Sequence, residues 1–166
     1  MQTANIETLL TEICQKIGGE WLLIGGSLVI LEFDGERATE DIDLVQIRAV
    51  GKSEAKAQDE LFRAAFRIGL DPETVNSAAR FFVSEVPGWE SEILPFRTGP
   101  VGTVFRPSLT LFVALKMRRG TEIDLGDVKA AVKKEGAAMF DVTKFHALAG
   151  EKAAQEFARR RKDLGL

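Results

Sequence analysis

Apolar and polar residues follow two different spacings along this chain, and each spacing predicts one type of element. Near the amino end, apolar residues recur every three or four positions, as they do on one face of a helix: Ile6, Leu9, Leu10, Ile13 and Ile17. Gly18-Gly19 predicts the end of this helix. The apolar run from Trp21 to Ile24 then predicts a buried strand.

Turn signals divide the next part of the chain into a helix, a strand and a second helix. Gly25-Gly26 ends the first strand, and Ser27 is expected to cap a helix from Leu28 to Phe33. The alternation of side chains from Asp41 to Ile47 predicts a second strand. A polar-to-apolar helix is expected between Ser53 and Gly69.

Residues 71–105 carry signals for one more helix and three more strands. Asp71-Pro72-Glu73 combines a cap, a proline at the first helical position and an acid, which predicts a helix to about Phe81. Strands are then expected over three segments: Phe81 to Val86, Trp89 to Phe96 and Thr103 to Phe105.

Helical signals dominate after Pro107. Pro107-Ser108 predicts a helix that ends near Gly120, Asp124 is expected to cap a helix to about Glu135, and the tail from Asp141 is helical in composition. The sequence therefore predicts one α/β (α+β) domain over residues 1–166. A mixed sheet flanked by helices is expected in residues 1–106, and a helical C-terminal third in residues 107–166.

Composition excludes several classes of protein. The 166 residues are 45% hydrophobic and 28% charged, with a net charge of -3, which suits one globular domain and does not indicate a general nucleic-acid binder. One cysteine and one histidine exclude a disulfide framework and a histidine-rich zinc site. Cys14 is interpreted as a small core residue. Because the sequence contains no signal-peptide pattern and no membrane-length apolar run, a cytoplasmic protein without a membrane partner is expected.

The Gly25-Gly26-Ser27 turn has two interpretations. Glycines between a strand and a helix let the backbone approach a ligand closely, and the free N–H groups of the helix start suit a phosphate. Ser27 would add a hydroxyl contact. The simpler interpretation is a tight turn with Ser27 as the helix cap, and the turn alone favours that one.

Asp41 and Asp43 are two residues apart, so on a strand they would point to the same face. Two such carboxylates repel each other unless a cation or solvent lies between them. Mg²⁺ commonly binds one or two carboxylates together with phosphate oxygens. The alternative is an exposed polar face of an edge strand. The glycine turn that precedes the pair by one helix favours a magnesium site.

A two-metal site for phosphoryl transfer usually requires a third carboxylate. Glu90 and Glu92 are the candidates, since they would share a strand face. Glu92 is preferred because Ile93-Leu94 continues an apolar run directly after it. The alternative is that both glutamates are solvent-facing strand residues.

Lys116 continues the apolar face of the helix that contains Phe112 and Val113. A cation at a core-facing position needs a partner, and a triphosphate would be one. Alternatively, its stem packs on the core while the ammonium reaches water.

Two of these segments carry a resemblance to a known family. Leu-Ile-Gly25-Gly26-Ser27 followed by Arg37-Ala-Thr39-Glu-Asp41-Ile-Asp43-Leu resembles the nucleotidyltransferase superfamily with the DNA polymerase beta-like fold. The pattern looks most like the minimal bacterial nucleotidyltransferases, including the AbiEii toxin type. The run from Leu115 through Lys116 to an Asp-x-x-Asp segment, Asp124 to Asp127, also resembles that group.

The resemblance implies a site and an activity. Gly25, Gly26 and Ser27 would hold the triphosphate of a nucleoside triphosphate, and Asp41 and Asp43 would bind Mg²⁺. Lys116 would contact phosphate or orient the site, and Glu92 would stand where the family commonly has a third aspartate. The expected activity is transfer of a nucleoside monophosphate to an acceptor hydroxyl.

The family also suggests partners and alternatives. Some members modify tRNA or a partner protein, and some are toxins paired with an antitoxin. A catalytically inactive nucleotide- or partner-binding member is the main alternative, because the third aspartate is missing. A small-molecule-modifying enzyme of the aminoglycoside type is a weaker one.

Overall fold

The computed structural model describes residues 3–34 and 38–166 and places them in an α+β fold. Its strands are β1 (Gly19–Ile24), β2 (Ile42–Arg48), β3 (Val75–Asn76), β4 (Ile93–Thr98) and β5 (Gly102–Pro107). Its α-helices are α1 (Thr3–Glu12), α2 (Gly25–Glu32), α3 (Glu54–Arg67), α4 (Ala79–Ser84), α5 (Leu109–Arg119), α6 (Glu122–Glu135) and α7 (Val142–Arg160).

The strands form one mixed sheet in the order β3-β2-β1-β5-β4. β1 pairs antiparallel with β2 and parallel with β5, and β3 pairs parallel with β2. The helices α5, α6 and α7 follow the last strand. The prediction of an α+β fold with a mixed sheet and a helical C-terminal third is therefore confirmed.

The chain forms two compact units. The sheet unit contains residues 3–28, 38–80 and 94–106, and the helical unit contains residues 29–34, 81–93 and 107–166. The assignment of residues 1–166 to a single domain stays a prediction. None of the helices in the described ranges combines the length and the hydropathy that a bilayer-spanning helix requires.

In the sheet unit, α1 and α3 pack on each other and α3 packs against β2. The apolar face predicted for the first helix is buried, and this helix continues as a π-helical segment over Ile13–Ile17 before Gly18. Cys14 lies in this segment and is buried, as predicted. The largest fully buried side chains of this unit come from the first helix and from β1 and β2: Ile6, Leu9, Leu10, Ile13, Trp21, Leu22, Leu23 and Ile42.

In the helical unit, α5 packs against both α6 and α7. Three phenylalanine rings, those of Phe140, Phe145 and Phe157, lie within 5.5 Å of one another between centroids. α5 begins where predicted, because the Ser108 hydroxyl accepts a hydrogen bond from the Leu111 N–H, and it ends at Gly120.

The helix predicted from Asp71 to Phe81 is wrong. The Asp71 side chain does cap a turn, but only a 3₁₀ turn over Pro72–Thr74 follows; β3 then occupies Val75–Asn76, and a separate helix, α4, begins at Ala79. Val75 is buried in register with Ile42 of β2. Strand pairing therefore overrides the local start signal, because the signal carries no information about a distant partner.

One predicted strand is also wrong, and another begins later than predicted. Residues 81–84 belong to α4, and the buried residues Ala79, Val83 and Val86 follow helical rather than alternating spacing. Trp89–Glu92 forms a 3₁₀ turn, so the strand begins only at Ile93. Gly88, with φ 71°, turns the chain before Trp89 and prevents an extended start.

Two helix starts differ from the predicted ones. α2 begins at Gly25 rather than at Leu28, so Ser27 lies inside the helix instead of capping it. α6 has Thr121 as its cap, and Asp124 is the third helical residue in a reciprocal capping box. In both cases the sequence indicates a polar residue near the helix start, but that residue lies inside the helix and not at the cap position.

Candidate active site

Gly25 places the start of α2 directly against Asp43 of β2. Ile24 at the end of β1 pairs with Asp43 in the antiparallel register, and Gly25 then turns the chain with φ +69°. A Cβ atom on Gly25 would lie 1.8 Å from Asp43 Oδ2, which no side chain tolerates. Glycine is thus required here both by the backbone conformation and by the carboxylate.

Ser27 joins the same two segments through the main chain. Its hydroxyl is 0% exposed and donates a hydrogen bond of 2.8 Å to the Asp41 carbonyl oxygen, which also accepts from the Thr39 hydroxyl at 3.0 Å. In this arrangement Ser27 fixes where the Asp-Ile-Asp segment lies relative to α2. Direct contact between Ser27 and a triphosphate stays a prediction.

The two aspartates occupy different environments at the start of β2. Asp41 precedes the strand and is exposed, whereas Asp43 is the second residue of the strand and is half-buried. Ile42 between them is buried, as the predicted alternation requires. Arg37, which belongs to the same sequence motif, lies outside the described residues.

Asn76 is a site residue that the sequence pattern did not reveal. It lies on β3 in register with Asp43, and its Nδ2 donates a hydrogen bond of 2.7 Å to Asp43 Oδ1. The only local signal was the sequence Val75-Asn76 after a turn, which is typical of many short loops. Its relation to Asp43 becomes visible only once β2 and β3 are paired.

The donor set suits a hard divalent cation such as Mg²⁺. Asp41 and Asp43 carry the carboxylate oxygens that this ion prefers, and the missing side chain of Gly25 leaves room for the Asp43 carboxylate beside the start of α2. The N–H groups at the start of α2 give this edge a partial positive charge. Among residues 3–34 and 38–166, no group of three or more His, Cys, Asp or Glu side chains is arranged to hold a metal ion.

Glu92, the predicted third acid, is engaged within the helical unit. It lies in the 3₁₀ turn and is 8% exposed, so the expected strand face shared with Glu90 does not form. The Ser108 hydroxyl donates to its Oε2 at 2.8 Å and the Lys144 ammonium to its Oε1 at 2.7 Å. The hydrogen bond and the charge of Glu92 raise the pKa of Lys144.

Lys116 is 5% exposed and lies between two aspartates of α6. Its Nζ lies 2.5 Å from Asp127 Oδ2 and 3.2 Å from Asp124 Oδ1. The sequence correctly predicted that this buried cation needs a partner, and these two carboxylates are its partners. A contact between Lys116 and phosphate stays a prediction.

Asp124 also binds Arg119 and Thr121. Burial alone would raise the pKa of Asp124, but hydrogen bonds from the Arg119 guanidinium and the Thr121 hydroxyl, with the charges of Lys116 and Arg119, hold it below its ordinary value. The charge of Asp124 is therefore balanced by cationic side chains of its own chain.

No protein-family model matches this chain, and no match was found among the curated proteins or the solved structures. The resemblance to nucleotidyltransferases accordingly stays a prediction that rests on the two motifs. The function has to be inferred from the residues and their geometry.

Proposed function

We propose that this protein is a Mg²⁺-dependent nucleotidyltransferase that transfers a nucleoside monophosphate from a nucleoside triphosphate to an acceptor hydroxyl. One observation carries the proposal: the Asp43 carboxylate lies against the side-chain-free Gly25 at the start of α2. A carboxylate for the cation and a helix start for the phosphates thus meet at one edge of the sheet.

The start of α2 suits the phosphates of the donor. The first N–H groups of a helix have no partner within the helix, and they carry a partial positive charge. Gly25 and Gly26 present no side chain that would keep a phosphate from these groups. The Ser27 hydrogen bond to the main chain of Asp41 holds this helix start beside the acids.

Electrostatics supports a role for Mg²⁺. A triphosphate at the start of α2 would bring several negative charges close to Asp43, and like charges at such a distance repel. A divalent cation bound by Asp41 and Asp43 would remove this repulsion, since Mg²⁺ accepts carboxylate and phosphate oxygens together. Binding of donor and of cation should therefore depend on each other.

The proposed reaction is an in-line displacement at the α-phosphorus. The acceptor oxygen forms a bond to the α-phosphorus, the bond from that phosphorus to the bridging oxygen breaks, and pyrophosphate leaves with the electron pair. The hydroxyl proton passes to solvent. Bound Mg²⁺ supplies charge neutralisation on the phosphates and a lowered pKa of the acceptor hydroxyl. Asp41 and Asp43 would hold the cation that keeps the donor in place for the attack.

A label-transfer experiment tests the proposal. Each α-³²P-labelled nucleoside triphosphate is incubated with the protein, Mg²⁺ and a cell extract, and the labelled macromolecule is identified. Asp41→Asn and Asp43→Asn should each lower transfer by about 100-fold or more, because they remove charge that holds the cation. Asp59→Asn is the matched control, since Asp59 is exposed on α3 and forms an ion pair with Arg63 of the same helix.

One result would contradict the proposal: transfer at the wild-type level by the Asp41→Asn/Asp43→Asn double variant, which would remove the acids from the mechanism. Asp59→Asn should transfer label as wild type does, because an equal loss there would mean that the losses in the site variants come from general damage to the fold.

A catalytically inactive, nucleotide-binding member of the same fold is the second candidate. Two observations favour it: Glu92 accepts from Ser108 and Lys144, and Lys116 is bound by Asp124 and Asp127. Calorimetry with nucleoside triphosphate and Mg²⁺ separates the two candidates. Tight binding without label transfer to any extract component supports the inactive member.

The proposal includes the cell compartment and the partners. Nucleoside triphosphates and Mg²⁺ are abundant in the cytoplasm, so we place the protein there. The acceptor is a hydroxyl of tRNA or of a protein, and the toxin-antitoxin resemblance adds an antitoxin protein as a partner. Self-modification on tyrosine is excluded, since the chain contains no tyrosine.

A further inference from the structure

We propose that Asn76 is the positioning residue of this site: it orients Asp43 and places a neutral amide, rather than a third carboxylate, beside it. The cation site then consists of two carboxylates and supports one divalent cation. This inference deepens the proposed function and rests on the Mg²⁺ site assigned above, but it makes a separate statement about which residue completes that site.

Backbone pairing puts Asn76 beside Asp43. β3 contains only Val75 and Asn76, and these residues are in parallel register with Ile42 and Asp43 of β2. Val75 is buried, which anchors the short strand against its neighbour. The Asn76 amide then reaches Asp43 Oδ1 at 2.7 Å. On the other oxygen, Asp43 Oδ2 lies next to Gly25.

Hydrogen bonding fixes which end of the amide faces Asp43. Asn76 Oδ1 accepts a hydrogen bond of 3.0 Å from the Ala78 N–H, which closes an Asx turn. Nδ2 must then point to the carboxylate, because the reversed amide would set acceptor against acceptor at Asp43 and donor against donor at the Ala78 N–H. Asparagine provides an acceptor for the turn and a donor for Asp43 at the same time, whereas aspartate would provide acceptors only.

The neutral amide determines the charge of the site. An aspartate at position 76 would place a third carboxylate at hydrogen-bond distance from Asp43, and this arrangement is stable only with added positive charge. With asparagine, position 76 adds no charge of its own to the two carboxylates. A carboxylate has about four acceptor positions, and the hydrogen bond from Asn76 takes one of those of Asp43.

Mn²⁺ binding measures the role of Asn76 without relying on turnover. The free ion is titrated by electron paramagnetic resonance against the full-length protein. Wild type should bind one Mn²⁺, and Asn76→Ala should weaken binding about 10-fold to 100-fold, which is the usual effect of removing a residue that orients a metal ligand. Asn5→Ala changes the only other asparagine of the chain, which lies on α1, and should bind as wild type does.

Asn76→Asp provides a second variant of nearly unchanged size. In EDTA its midpoint of thermal unfolding should be lower than that of wild type, because Asp43 and the new carboxylate repel each other. Mn²⁺ should raise this midpoint by more than it raises that of wild type, and the variant should bind Mn²⁺ more tightly or bind a second ion. Asn5→Asp is the control and should show neither change.

The outcomes separate this inference from the proposed function. Equal Mn²⁺ binding by Asn76→Ala and Asn5→Ala, or an Asn76→Asp variant with unchanged unfolding in EDTA, overturns the role of Asn76 even when label transfer is intact. Weakened Mn²⁺ binding in Asn76→Ala with no label transfer by wild type supports Asn76 and removes the transferase. Absence of Mn²⁺ binding by wild type overturns both.

Activity gives a third readout when transfer is present. Since Asn76 acts through Asp43, Asn76→Ala should raise the Mn²⁺ concentration needed for half-maximal transfer more than it lowers the rate at saturating Mn²⁺. An equal loss of rate at every Mn²⁺ concentration would contradict a positioning role.

Discussion

This protein contains two pairs of closely spaced aspartates, and the two pairs are neutralised in different ways. Asp124 and Asp127 in the helical unit are 0% and 3% exposed and both bind the ammonium of Lys116. Asp41 and Asp43 in the sheet unit are exposed and half-buried, and Asp43 accepts from the neutral amide of Asn76. Similar spacing in the sequence therefore gives two different electrostatic environments.

The difference indicates two different roles. A buried carboxylate with a cation from its own chain holds the fold together and gains little from an external ion. Asp41 is exposed, and Asp43 is half-buried and oriented by a neutral amide, so this pair is the more accessible of the two to an external ligand. The Asp-x-x-Asp pair is thus a structural element, and the Asp-x-Asp pair is the candidate for chemistry.

The largest expected effect is the loss of the internal cation. Lys116→Met should lower the free energy of unfolding by about 3–5 kcal/mol, because it leaves buried carboxylates without the ammonium. Denaturant unfolding measures this value. Lys134→Met, on the exposed ion pair with Asp34, is the control and should have a much smaller effect. Similar losses in both variants would contradict a structural role for the buried pair.

The contact between Gly25 and Asp43 should show a strong coupling. Gly25→Ala should cost about 2–4 kcal/mol, because it combines a left-handed backbone conformation with a steric clash against Asp43. Gly51→Ala has a similar φ of +70° but nothing near its Cβ, so it measures the backbone part alone. In an Asp43→Ala background the cost of Gly25→Ala should fall toward that of Gly51→Ala, with a remainder from the Cβ of residue 43, which would lie 3.1 Å from the new methyl group. An additive double-mutant cycle would show that the two residues do not meet.

Removal of Mg²⁺ should weaken donor binding at the Asp41 and Asp43 pair. Binding of a non-hydrolysable nucleoside triphosphate should fall about 10-fold to 100-fold in EDTA, because two unit charges about 5 Å apart repel by roughly 3 kcal/mol at an effective dielectric constant of about 20. Calorimetry measures the change. Asp43→Asn should reduce the difference between Mg²⁺ and EDTA, and an unchanged difference would exclude Asp43 as the source of the repulsion.

The smallest expected effect concerns acid stability of the helical unit. Because the pKa of Asp124 is lower in the folded state than its ordinary value of 3.8, its contribution to stability is present above about pH 4. This contribution is lost as the pH falls through the folded-state pKa. Asp124→Asn should therefore flatten the dependence of unfolding free energy on pH below about pH 4. Asp59→Asn, at an exposed pair, should keep the wild-type slope.

Local signals in the sequence predicted those elements whose periodicity and caps lie within one segment. The helix α3 begins after the Ser53 cap, and α5 begins after the Ser108 cap and ends at Gly120. The glycine turn and the Asp-Ile-Asp strand were also recognised, and the structure brings them together through Gly25. These features could be predicted because each depends on neighbours a few residues away.

The remaining features depend on partners that are distant in the sequence. Asp71-Pro72 is a good helix start, but the pairing of Val75 and Asn76 with β2 converts the following segment to a strand. Lys116 lies on the apolar face of its helix, so the sequence predicted a buried cation that needs a partner. The packing of α6 on α5 decides which carboxylates are that partner. Neither result follows from spacing alone, because both arise from tertiary contacts.

The contact between Gly25 and the Asp43 carboxylate also limits how this protein can evolve. A side chain at position 25 becomes tolerable only after position 43 loses its carboxylate, so the two positions are expected to change together in descendants of this chain. A divergent homologue with glycine at position 25 and aspartate at position 43 would have retained this part of the site, even if the rest of its sequence had changed. This paired requirement gives a criterion for separating functional relatives from those that preserve only the scaffold.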